Sequence, residues 1–197
     1  MREMINMVVV LTLLSVFSGG LLAAVRTGTK DKIEQQVLKF QKAPAIKQIL
    51  SDVSNDPLQD RFKIMDNDQE LTFFVGKHDG KADAITFETS GKGFSGDIGL
   101  MVGINIESDE IIGVCVTTHS ETPGLGSKAK DDPKFVSQFA GMAIDKNFAI
   151  KKNGGEIDVM SGATVTSAGV SLAAQKAQEI YKRLKPEIEK QTAQLAN

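Results

Sequence analysis

Apolar positions along this chain change their period twice, and each change marks a new element. Residues 4–25 carry no charge and are dominated by Val, Leu, Met, Ala and Phe. About 20 such residues in a helix match the hydrocarbon thickness of a bilayer, so 1–28 is read as a membrane anchor. From residue 29 to about 54 the apolar side chains fall at helical spacing, with Ile33, Val37 and Phe40 followed by Ile46, Ile49, Leu50 and Val53. Pro44 is expected to break or kink this run into two helices, a stalk over 29–57 that closes at the Asn55-Asp56-Pro57 turn. The period then shortens towards two. Strand-like runs cover 62–65, 71–75, 84–89, 98–106 and 111–118, with turns at Lys77-His78-Asp79-Gly80 and Ser108-Asp109-Glu110. Short connections between successive strands predict an antiparallel meander, hence an α+β domain over 58–186. A short helix is expected over 131–141, with Pro133 in its first turn. Short strands are expected over 148–151 and 156–159, divided by Asn153-Gly154-Gly155. The final helix runs from 165 towards 185 with Ala173, Ala177, Ile180 and Leu184 on one face. Pro186 is expected to end or bend it, leaving a polar tail over 187–197.

Composition removes several classes of chemistry. Formal charge is −2 and the isoelectric point about 5.8, so no basic face calls for nucleic acid. One cysteine, Cys115, leaves no intrachain disulfide framework, no cysteine-ligated cluster and no haem attachment motif. It lies in an apolar run and reads as a small core residue. Two histidines, His78 and His119, make a zinc site built from His and Cys implausible. The N-terminal run is longer than a signal-peptide core, and Leu22-Ala23-Ala24 is a poor cleavage site, so a retained anchor is favoured. Arg26, Lys30 and Lys32 after the span outweigh Arg2 and the terminal amine before it. A positive-inside count therefore keeps the domain in the cytoplasm, although that count is weakest for long translocated domains.

Candidate chemistry gathers at Asp158-Val159-Met160-Ser161-Gly162-Ala163-Thr164, which opens the last helix. Ser161 or Thr164 can cap it. No acid follows Asp158 until Glu179, and no Glu or Gln closes a capping box, although helix starts normally attract acids. Such an end offers free amides to a phosphate; an ordinary hydroxyl cap is the plainer reading. Gly91-Lys92-Gly93-Phe94-Ser95-Gly96 matches the glycine pattern of dinucleotide folds, but a strand-like run follows where a helix is required, so it reads as a strand connection. In His119-Ser120-Glu121-Thr122-Pro123-Gly124-Leu125-Gly126, the Thr-Pro-Gly order predicts a type II turn. Gly126 keeps that loop thin enough for backbone to approach a planar ligand. From these residues alone, a tight surface loop with His119 and Glu121 solvated is the favoured reading.

Asp-x-x-Ser-Gly-Ala-Thr resembles the flavinylation motif of an FMN-binding domain family. Its members are the G subunit of Rnf electron-transport complexes and the C subunit of the sodium-pumping NADH:quinone reductase. The 119–126 segment is similar to a second segment of that family. The chain length is closer to the Rnf member. The resemblance implies FMN held by a phosphoester to Thr164, attached by a flavin transferase using FAD. It further implies that Ser161, Gly162 and Ala163 shape the phosphate pocket, that Val165 also binds the cofactor and that Asp158 helps the transferase recognise the site. His119, Glu121, Thr122, Gly124, Leu125 and Gly126 would contact the flavin, with the 91–96 turn nearby. The implied role is an electron relay, without turnover of its own, among the other subunits of a complex coupling ferredoxin–NAD electron transfer to ion transport. The implied place is the inner membrane with the domain on the outer, periplasmic face, opposite to the charge count. Two alternatives stay open. One is the quinone-reductase member or a free-standing anchored flavin carrier. The other is an anchored binding module without cofactor, which would be colourless and unmodified at Thr164.

Overall fold

The computed structural model describes residues 1–195, in two compact units, 1–40 and 41 onward. The first unit is helix α1, Arg2–Val37, which passes through residue 29 without interruption, so anchor and upper stalk are one helix. Within it Arg2–Lys30 is long and apolar enough to cross a membrane, with mean hydropathy 2.4 in a window that no part of the fold buries. The run divides into two helices at a single π-helical turn, Leu38–Lys42, which is followed by α2, Ala43–Ile49. Pro44 sits in the first turn of α2, where its missing N–H costs nothing. The helix ends at Ile49 and not near residue 54.

Five strands follow: β1 Arg61–Asp66, β2 Gln69–His78, β3 Lys81–Lys92, β4 Asp97–Asn105 and β5 Glu110–Val116. They pair in sequence order, all antiparallel, as the meander pattern predicts. Asn67-Asp68 and Asp79-Gly80 supply the consecutive positive φ values that tight hairpins need. The first of these two turns carries no glycine, so the sequence pattern gives no sign of it. β4 is buried on both faces, because α2 lies on one side of the sheet and α5, Thr164–Leu195, on the other. Across β1–β3, Phe62 stacks on Phe73 with centroids 5.3 Å apart, and Phe73 packs at a tilt on Phe87 at 4.8 Å. Cys115 is half-buried, its thiol 3.6 Å from Gln48 Oε1; burial pushes it above the ordinary thiol value despite Lys130 nearby.

Between β5 and α5 the expected elements are more fragmented. The helix anticipated over 131–141 splits into α3, Lys128–Asp131, α4, Pro133–Val136, and a 3₁₀ turn, Ser137–Phe139. Asp132 is the cause. As the residue before a proline it is held extended, and its carboxylate caps Lys134 N at 3.0 Å. The two short strands shrink to one bridge between Ile150 and Ile157.

The last helix does not end at Pro186, since α5 continues through it to Leu195. Ile188 and Thr192 beyond the proline are buried, and that burial offsets the lost backbone bond. The final two residues of the anticipated tail lie outside the described residues. Just before the proline, Asp109 accepts hydrogen bonds at 2.6 Å from both Tyr181 Oη and Lys185 Nζ, tying α5 to the β4–β5 turn. Burial alone would raise the Asp109 pKa, but these donors hold it below the ordinary 3.8. The tie is therefore complete above that value and weakens as pH falls through the lower folded value. Asp109→Asn is expected to cost about 1 kcal/mol near neutral pH, the partial exposure of the pair screening it, and less at about pH 3. Urea unfolding of both proteins at the two pH values measures the difference.

Candidate functional site

The amino end of α5, the loop after β5 and the β3–β4 turn meet around one cleft of about 390 Å³, in the range of small-molecule sites. Each wall has a local cause. Met160-Ser161-Gly162-Ala163 forms a tight turn closed by Ala163 N to Met160 O at 3.0 Å, with Gly162 at φ +77° where side chains are strained. The helix therefore starts at Thr164, and Ala163 occupies the capping position. Neither Ser161 nor Thr164 caps it, contrary to expectation. Instead Ser167 fastens the turn from inside the helix, its Oγ accepting from Met160 N at 3.0 Å and donating to Ala163 O at 2.9 Å. Ser167 N is the first amide to bond backwards, to Ala163 O at 2.9 Å. Among the described residues, the amides of Thr164, Val165 and Thr166 have no acceptor, and the Thr164 hydroxyl has no partner. The first turn holds no acid, as the sequence predicts.

The second wall is the 119–126 loop. Thr122-Pro123-Gly124-Leu125 is the expected type II turn, with Gly124 at φ +75° and Leu125 N donating to Thr122 O at 3.2 Å. Glu121 is not solvated. It is 5 % exposed and accepts from Ser95 N at 2.8 Å through Oε1 and from the Thr166 hydroxyl through Oε2. A Cβ on Gly126 would stand 2.7 Å from the Glu121 Cβ and 2.8 Å from both Oε2 and Thr166 Oγ1, so only glycine lets the loop close. His119 accepts from Glu121 N at 3.3 Å through Nδ1, which shapes the loop.

The third wall is the glycine-rich turn, here a β3–β4 hairpin closed by Gly93 N to Gly96 O at 2.8 Å. It presents Phe94 to the cleft. Large apolar side chains rarely remain exposed without a partner in groups. Phe94 is 74 % exposed, Leu125 46 % and Val165 52 %, and all three line this cleft. An apolar slot beside unpaired helix amides suits a planar ring system carrying a phosphate.

Of the residues selected from sequence, Gly162, Ala163, Thr164, Val165, Glu121, Thr122, Leu125 and Gly126 line the cleft. Ser161, Gly124, His119 and Asp158 do not. Asp158 turns to Lys151 Nζ at 2.7 Å, and Gln138 brackets its backbone from both sides. Phe94 and Thr166 are added by the structure. The only sequence signals for them were an aromatic residue inside a glycine turn and a third hydroxyl at the helix start.

Residues 93–179, which hold all three walls, match the FMN-binding domain family. That match defines the class of the domain as FMN-binding. The G subunit of the ion-translocating oxidoreductase complex from Salmonella typhi is 34 % identical over 179 residues, 86 % of each chain. The corresponding G subunit of Shewanella piezotolerans is 33 % identical over 180 residues, 84 % of this chain and 83 % of that protein. The chain belongs to the G-subunit family of ion-translocating oxidoreductase complexes. Among solved structures, the C subunit of the Na(+)-translocating NADH-quinone reductase from Parabacteroides distasonis is 25 % identical with TM-score 0.50, over 59 % of this chain and 63 % of that one. NqrC of Shewanella oneidensis shares the fold at 21 % identity and TM-score 0.51, over 71 % and 72 % of the two chains. The apolar Arg2–Lys30 helix and the ion-translocating complexes of these relatives together indicate membrane attachment.

Proposed function

We propose that this protein is the flavin-bearing subunit of an Rnf-type complex, carrying FMN as a phosphoester on Thr164 and relaying electrons between neighbouring cofactors. The observation that carries the reading is the free Thr164 hydroxyl on the cleft wall, at a helix end whose amides lack acceptors. Attachment from FAD joins Thr164 Oγ to the FMN phosphorus and breaks the pyrophosphate bond, releasing AMP and the hydroxyl proton. A separate flavin transferase supplies that reaction. The amides of the first α5 turn and the helix dipole would hold the phosphate. Phe94, Leu125 and Val165 offer apolar surface to the ring and thin the water around it. Bound FMN supplies reversible one- or two-electron chemistry. Within the cleft, Glu121 is the sole ionisable side chain among the described lining residues, and its two oxygens are already engaged by protein donors. A covalent tether suits an exposed carrier, because equilibrium binding fails when free ligand is scarce.

Full-length protein made with a flavin transferase should gain the mass of FMN less water, confined to the peptide containing Thr164. An unmodified mass in the presence of active transferase would refute the reading and favour a cofactor-free module. The proposal places the domain on the outer face of the inner membrane, against the charge count. Protease added to intact spheroplasts should then cleave the domain. Protection until the membrane is opened would reverse the orientation.

A further inference from the structure

We infer that Glu121 is the positioning residue of the cleft, a buried clamp that sets where Phe94 and the first turn of α5 stand and so fixes the flavin ring. The inference rests on the proposed FMN site and adds how its walls are held. Three chain segments far apart in sequence converge on this one carboxylate. The Ser95 amide belongs to the hairpin that presents Phe94, and its bond to Oε1 spans 26 positions. The Thr166 hydroxyl belongs to the turn of α5 that begins with Thr164, and its bond to Oε2 spans 45 positions. The backbone of Glu121 itself leads directly into the Thr122–Leu125 turn.

Space around the carboxylate is cut to fit. A Cβ on Gly93 would stand 2.6 Å from Oε1, and one on Gly126 2.8 Å from Oε2, so the hairpin and the loop of Glu121 itself each yield a glycine to it. Beyond Ser95 and Thr166, no other hydrogen-bond donor reaches either oxygen among the described residues. A carboxylate buried this deeply is desolvated, and its two donors hold it in one orientation. Losing it leaves Ser95 N without its acceptor and removes the side-chain link that joins the tip of the Phe94 hairpin to the first turn of α5.

Glutamine separates the clamp from the charge. Its carbonyl can accept from Ser95 N while its amide donates to Thr166 Oγ1, so Glu121→Gln keeps both ties and removes the negative charge. Glu121→Ala removes both. The experiment loads full-length wild type, Glu121→Gln, Glu121→Ala and Thr166→Val with FMN by co-expressed transferase. It measures intact mass, flavin fluorescence with iodide quenching, and midpoint potential. All four are expected to carry flavin. Quenching by iodide should rise several-fold in Glu121→Ala, rise partly in Thr166→Val, and stay at the wild-type level in Glu121→Gln. The potential of Glu121→Gln should move upward, because removing a negative charge from the cleft lining favours reduction. Equal quenching in wild type and Glu121→Ala would overturn the inference, as would Glu121→Gln quenching like Glu121→Ala. Thr166→Val, which leaves the glutamate in place, keeps the test open if Glu121→Ala does not fold. A wild type without flavin would instead sink the FMN reading beneath it.

Discussion

Thr164→Val is expected to eliminate covalent flavin completely, while Thr164→Ser retains a part of it. Valine matches threonine in shape but has no nucleophilic oxygen, and the side chain is exposed at a helix start, so the fold should be unaffected. The measurement is in-gel flavin fluorescence after denaturation, paired with intact mass, on protein made with the transferase. A fluorescent Thr164→Val band would remove Thr164 from the mechanism and turn attention to Thr166, the nearest hydroxyl in sequence and also on the cleft wall. The serine variant carries the second half of the argument. It keeps the hydroxyl and loses only a methyl group, so complete loss of label there would show that attachment depends on side-chain shape as well as chemistry.

The second large effect falls on the packing beneath the cleft. A Cβ placed on Gly91 would stand 1.9 Å from the Gly169 carbonyl oxygen, and one on Gly169 would stand 2.7 Å from the Lys92 carbonyl oxygen. β3 and α5 thus touch backbone to backbone, reinforced by the Thr89 hydroxyl donating to Ala173 O at 2.9 Å. The helix can come this close because its buried face there is Gly169, Val170, Ala173, Ala174 and Ala177. Gly91→Val must push the helix off the sheet or distort the strand, neither of which is a flexible side chain that can turn aside. Overpacking of this kind costs about 1–3 kcal/mol or more. Because the displaced segment begins at the cleft, flavin loading should fall as well. Chemical unfolding and flavin occupancy measured together test both parts; unchanged stability would mean the two backbones have more room than their geometry shows.

Which parts of this molecule could be read from sequence follows from the range of the forces involved. The five strands and their order were legible because alternation and hairpin turns are local signals. The Pro-Gly turn at 122–125 was legible for the same reason, since proline and glycine set φ residue by residue. The helix starting at Thr164 was placed correctly within one residue, but its cap was not: Ser167 acts from the following turn, and nothing in the spacing distinguishes that from Ser161. Pro186 misled because a local penalty was outweighed by burial of Ile188 and Thr192, a tertiary effect. Glu121 was chosen for its motif, yet its burial between Ser95 and Thr166 depends on contacts spanning 26 and 45 positions. Phe94 reached the site by the same route. Long-range juxtaposition leaves no periodic trace in a single chain.

The 32 residues of α5 also set a distance. At about 1.5 Å per residue, Leu195 lies on the order of 45 Å along the helix from Thr164. A fluorophore or spin label placed near that far end would ride on the same helix as Thr164 without crowding the cleft, and would report the approach of a partner from a known remove.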